Sequence, residues 1–179
     1  DQRRAAESFD RYPGARKYVD FRRMLDDMDE QIDAVVISAP NHIHAPASAM
    51  AMKMGKHCYC EKPLTHSVYE ARTIAGIAAE QRVATQMGTQ IHASNNYRRV
   101  VELIQAGAIG PVHEVHIRLP GGGTADDRPQ EMPPIPTELN WDLWLGPAPA
   151  RPYHPCYVPH DWHYWWDFGG GPLGNIGCH

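Results

Sequence analysis

Three short polar segments stand where chemistry is most plausible, each directly after a stretch of strand-forming residues. Ala39-Pro40-Asn41-His42-Ile43-His44 follows Ile32 to Ser38, Glu61-Lys62-Pro63 follows His57 to Cys60, and Gly88-Thr89-Gln90 follows Val83 to Met87. In open parallel α/β sheets the carboxyl ends of strands line the crevice where ligands bind. Lys62 precedes a proline, which disfavours the α region and keeps the backbone extended, so the amine is aimed out of the strand end. An amine held there is a candidate for proton transfer, with Glu61 beside it to orient it. Pro40, Asn41, His42 and Gln90 bring hydrogen-bonding groups to the neighbouring strand ends, although Pro-Asn is also ordinary turn chemistry. Far along the chain, Gly174-Asn175-Ile176-Gly177-Cys178-His179 supplies an imidazole and an amide. Asparagine can bind hydroxyl groups but cannot take up a proton or carry negative charge.

Two other groupings are less promising. Cys58 and Cys60 lie two apart, so strand alternation points both thiols to one face. Cys-x-Cys is not the usual zinc spacing, and free thiols in a buried strand are expected. His154, Cys156, His160 and His163 fit no helix-face or zinc-finger pattern, and no metal site is expected.

The elements that position these residues follow from hydrophobic period. Ile32 to Ser38 is a nearly continuous β-branched run, suited to a parallel strand buried on both faces. A helix is predicted over Ala45 to Met54, ended by Gly55, then a short strand from His57 to Cys60. Ser67-Val68-Tyr69-Glu70 reads as a capping box, and Ala71, Ile74, Ala75 and Ala78 form one helical stripe behind it. A strand from Val83 to Met87 and a helix carrying Tyr97, Val100, Val101 and Ile104 complete the alternation of a doubly wound parallel sheet. After Gly110-Pro111 the pattern changes. Val112 to Leu119 alternates, predicting a half-exposed strand; Gly121 to Pro136 predicts an irregular loop; aromatics and histidines crowd from Trp141 to Trp166.

The 179 residues suffice for one domain, or for one and part of a second. Hydrophobic residues at 42% and charged residues at 21% fit an ordinary soluble globular chain. A net charge of −4 speaks against a nucleic-acid surface. No apolar run approaches the roughly 20 residues that a bilayer span requires. Because the chain opens on Asp1-Gln2 and stops at Cys178-His179, it reads as an internal piece of a longer protein.

Taken in order, Asn41-His42-x-His44-Ala45, Gly55-Lys56-His57, Cys60-Glu61-Lys62-Pro63-Leu64, Gln86-Met87-Gly88-Thr89-Gln90, Trp141 to Pro147 and Trp165 to Gly171 resemble the Gfo/Idh/MocA oxidoreductase family. Residues 174–179 resemble that family's Gly-Asp-x-Gly-x-His segment, with Asn175 in place of the aspartate. The resemblance implies an NAD(P)-binding Rossmann domain over 1–110 whose first strand and glycine-rich loop lie upstream, so that this piece binds NAD(P) poorly. It further implies a substrate-binding and oligomerisation domain beginning at 111, with a mostly antiparallel sheet. It makes Lys62 the proton-transfer residue and places Asn175 and His179 at the substrate. Cofactor contacts are expected from Pro40, Asn41, His42, Glu61, Lys62 and Gln90, and sugar stacking from Trp162 and Trp165. The implied reaction is hydride transfer between a sugar or polyol carbinol carbon and NAD or NADP. Alternatives are glycoside cleavage through transient oxidation and elimination, and a non-catalytic cofactor-bound sensor or scaffold. A homo-oligomer in the cytoplasm is expected, or in the periplasm if an upstream twin-arginine signal exists.

Overall fold

The computed structural model describes residues 1–118 and 127–179. Three parallel strands form one sheet in the order β1 (Ala34–Ile37), β2 (His57–Glu61), β3 (Thr85–Gly88). The β1–β2 ladder runs from Ala34 with His57 to Ile37 with Cys60, and β2–β3 from Cys58 with Thr85 to Glu61 with Gly88. All three strands therefore end at one edge, which carries the polar segments. Helix α1 (Gln2–Arg11) and helix α2 (Phe21–Asp27) precede the sheet, and α3 (Asn41–Lys53) and α4 (Val68–Gln81) connect its strands.

The core below that edge is made by Leu25, Val35, Ile37, Ala51, Met52, Cys58, Cys60, Ile74 and Ile77. Strand β1 differs from expectation: Val35 and Ile37 are buried while Val36 is 75% exposed, so only one face of this strand is covered. Helix α3 starts at Asn41, four residues earlier than the sequence suggested, and carries Pro46 within it. It ends at Met54 and Gly55, whose φ of +76° is the left-handed conformation that glycine adopts without steric cost. The capping box of α4 forms: Ser67 Oγ accepts from Glu70 N–H at 3.2 Å, and Glu70 accepts from Ser67 N–H at 2.9 Å. Its buried stripe is Ile74 and Ile77 rather than the alanines, because the two isoleucines offer the larger apolar area; Ala71 and Ala75 stay exposed.

Beyond β3, helix α5 (Asn95–Gln105) forms as expected but leaves its apolar stripe open, with Val100, Val101 and Ile104 all above 40% exposed. Residues 112–118 form no strand, and Val115 and Ile117 are exposed. Alternation prepares a strand face, but a strand also needs a ladder partner, and this segment has none among the described residues. Leu119 and the Gly121-Gly122-Gly123 cluster lie outside the described residues; 127–136 is irregular, as predicted.

A second core gathers around α6 (Trp141–Leu145). Phe168 is fully buried, Trp141 stacks on Trp144 at 4.9 Å, and Leu139, Tyr153, Tyr157 and Trp162 close the cluster. Arg151 lies over the rings of Tyr157 and Phe168 and pairs with Asp167, which Arg128 also reaches at 3.1 Å. Among the described residues, no helix is long and apolar enough to cross a membrane.

Cys58 and Cys60 are unbridged thiols facing the interior. Burial pushes both above the ordinary thiol value, Cys60 to about 11. At mildly alkaline pH, iodoacetamide will leave both unmodified in the folded chain and alkylate them after unfolding. Rapid labelling of the native protein, read by peptide mass, would contradict this burial.

Candidate active site

The edge where the strands end is assembled by local necessity. Glu61 is the last residue of β2, so the amine of Lys62 emerges beyond the ladder. Glu61 lies against Gly88, the last residue of β3, where an added Cβ would sit 2.6 Å from the Glu61 carboxylate. Gln90, in the turn after β3, donates to that carboxylate at 3.0 Å. Glycine at 88 is thus what lets the carboxylate cross to the neighbouring strand end. Lys62 reaches the other way. Its Nζ donates to the Asn175 side-chain oxygen at 2.7 Å and to the Asn175 backbone carbonyl, joining residues 113 apart in sequence.

Asn175 sits in the last turn of the short helix α7 (Gly171–Ile176). Carbonyls at a helix C-terminus lack intrahelical partners and attract cations, so Lys62 also caps this turn. Three residues after α7, the His179 carbonyl accepts from Tyr97 Oη at 2.9 Å and from His92 Nε2 at 2.7 Å, while His179 Nδ1 is buried with no partner among the described residues. Lys62 and Asn175 are thus in direct contact, and His179, four residues on, is held by a separate contact with His92 and Tyr97. His92 and Tyr97 are not among the residues that the sequence singles out for the site. Their signal was position, directly downstream of the third strand end; Tyr97 had been absorbed into the apolar stripe of α5.

The β1 end is arranged differently from expectation. Pro40 caps α3, and Asn41 is 3% exposed with its amide nitrogen unpartnered among the described residues. His42 is 2% exposed, wedged between the rings of Trp144 at 5.2 Å and Phe168 at 5.1 Å. Its Nε2–H donates to the Trp144 carbonyl at 2.9 Å. Instead of presenting its ring at the groove as a cofactor contact, His42 ties α3 to the second core. The histidine falls inside the first turn of a helix rather than in an open turn, and the aromatic cluster covers it.

Trp162 and Trp165 are likewise moved from groove to core. Trp162 is 8% exposed, stacks on His163 and donates to the Pro159 carbonyl. Trp165 meets Tyr157 edge-on at 4.9 Å and donates to the Cys156 carbonyl. Large indole surfaces without a sheet to lie on bury against one another, with each N–H satisfied by a carbonyl. His154 and His163 engage nearby backbone, and no group of three or more metal-binding side chains converges among the described residues.

A parallel sheet with helical crossovers and polar strand ends defines a Rossmann-type dinucleotide-binding fold. The chain belongs to the Gfo/Idh/MocA oxidoreductase family: its NAD-binding Rossmann-fold model matches residues 1–89 and its C-terminal α/β-domain model residues 123–179. Levoglucosan dehydrogenase from Pseudarthrobacter phenanthrenivorans is 30% identical over 108 residues, covering 60% of this chain and 27% of that protein. Inositol 2-dehydrogenase from Salmonella typhimurium is 30% identical over 119 residues, 64% of this chain and 34% of that one. The chain spans about a third or less of the length of the curated relatives it matches. A solved structure of an inositol dehydrogenase homologue with NADH and myo-inositol, from Azotobacter vinelandii, matches with TM-score 0.49 and 26% identity over 52% of this chain and 25% of that one.

Burial is the main reason that His42 is harder to protonate than an ordinary histidine, whose value is 6.5. The unfolded chain therefore binds more protons than the native one just below that pH. Stability is complete above the unfolded value and declines as pH falls below it, toward the lowered folded value. Urea unfolding at about pH 7.5 and about pH 5.5 will show this loss, and His42→Phe will reduce it. An undiminished pH dependence in the variant would show that His42 is not the buried group responsible.

Proposed function

We propose that this chain is part of an NAD(P)-dependent oxidoreductase that moves a hydride between the carbinol carbon of a sugar or polyol and a nicotinamide. Residues 1–110 belong to the cofactor half and 111–179 to the substrate half. The observation that carries this reading is the Lys62–Asn175 contact, which brings an amine from a Rossmann strand end against the second segment of the family. The residues suit a dinucleotide. An unpartnered amide nitrogen at Asn41, beside Pro40 at the β1 end, and the linked Glu61 and Gln90 at the β2 and β3 ends supply polar groups along one sheet edge.

When bound, the nicotinamide supplies the hydride acceptor. The chain's own part is to hold the hydroxyl and move its proton. Two of the three N–H bonds of the Lys62 ammonium are taken by Asn175, and the third is directed by them. Loss of hydride from a carbinol carbon leaves a carbonyl only if the hydroxyl proton also departs. Lys62 in its amine form accepts that proton, and Asn175 steadies the ammonium that results. Asn175 contributes hydrogen bonds without charge, so it binds and orients but does not relay a proton. His179, near Tyr97 and His92, stands ready as a second hydroxyl contact. The dehydrogenase names of the curated relatives, levoglucosan dehydrogenase and inositol 2-dehydrogenase, support a polyhydroxylated substrate.

In the full-length protein, Lys62→Ala will lower turnover on a responsive polyol by about 10² to 10⁴-fold. NADH binding, followed by fluorescence titration, will change little. Turnover equal to wild type would sink the assignment of Lys62.

A further inference from the structure

His44 is 1% exposed, lies inside α3, and takes no part in the reaction outlined above. Both of its ring nitrogens are engaged at short range: Nδ1 lies 2.7 Å from the Pro63 carbonyl and Nε2 lies 2.7 Å from the Ala39 carbonyl. Those carbonyls belong to the two strand-end segments on either side of the groove. Ala39 lies between β1 and α3, and Pro63 directly follows Lys62. The β1–β2 ladder stops at Ile37 with Cys60, so no sheet hydrogen bond sets the spacing of the chains beyond it. The imidazole spans that gap.

We infer that His44 is a positioning residue for Lys62: it clamps the β1 and β2 strand ends together and so holds the backbone from which the amine extends. This rests on the reading of Lys62 as the proton-transfer group. Carbonyl oxygens only accept, so both contacts are hydrogen bonds when each ring nitrogen carries a hydrogen. A ring with one hydrogen binds one carbonyl and turns a lone pair on the other. A merely space-filling histidine would have no reason to find an acceptor at each nitrogen. Small displacements at a reacting centre cost rate far more than they cost binding, so the clamp acts on turnover rather than on affinity.

The test uses full-length His44→Phe, which keeps the ring volume without donors, and His44→Gln, which keeps a donor. With melting temperature and NADH affinity near wild type, kcat should fall about a hundredfold in the phenylalanine variant, with KM for the polyol little changed. The glutamine variant should recover part of the loss. A folded phenylalanine variant with wild-type kcat would overturn the clamp, as would one whose kcat loss merely tracks lost cofactor binding. Nitrogen-15 spectra of the unmodified protein, with the His44 signals assigned from the glutamine variant, give a reading independent of activity and of variant folding. A hydrogen on Nδ1, the nitrogen that faces Pro63 across the gap, is expected, and a bare Nδ1 there would overturn the proposal. If Lys62→Ala loses turnover while His44→Phe does not, only the clamp fails. If Lys62→Ala keeps its turnover, the functional reading itself fails.

Discussion

A single amine crossing from the end of β2 to the last turn of α7 is the contact on which this arrangement depends. Lys62 meets Asn175 across 113 residues of sequence, and it does so through both the side chain and the backbone of its partner. The sheet fixes where the amine starts, since β2 is the middle strand and is paired on both sides. The partner is placed by the aromatic core around Phe168, which ends just before α7 begins. Neither half alone determines the geometry of the site.

What holds the two halves in register is mostly buried and mostly histidine. His42 sends its ring into the second core and bonds to Trp144, while His44 stays with the first and bonds to two strand-end carbonyls. The two side chains, two residues apart on α3, diverge to opposite tasks because successive helix positions point in different directions. His66 adds a second histidine link between the halves, bonding through Nε2 to the Trp166 carbonyl. Each bond satisfies a carbonyl at a segment end, where backbone groups lack ladder or helix partners. The cost of leaving such groups unpaired in the interior favours this one relative placement.

The sequence conveyed the parallel half of the fold well because its signals are local. Strand-forming runs separated by capped helices place β1, β2 and β3, and Ser67 with Glu70 announces the start of α4 within one turn. The place of Lys62 just past a strand end was legible for the same reason, since it stands between a strand and a proline. Side-chain destinations were less legible. Nothing in Asn41-His42-Ile43-His44 says that both histidines are buried, since the rings against His42 lie at 144 and 168 and a carbonyl that meets His44 lies at 63. Trp162 and Trp165 have the right chemistry for a sugar face and equally for a core, and the core took them. Helices α1 and α2 gave weak signals: α1 buries no side chain and α2 only Leu25, although Asp1 and Asp20 cap them. Val112 to Arg118 shows the converse, a clear period of two with no neighbouring strand to pair with among the described residues.

The most direct test of the account is a crystal structure of the full-length protein with oxidised nicotinamide and a bound polyol. The Lys62 nitrogen is predicted within about 3 Å of both the Asn175 side-chain oxygen and a substrate hydroxyl. Finding that nitrogen turned into solvent, with another side chain against the reacting hydroxyl, would contradict it.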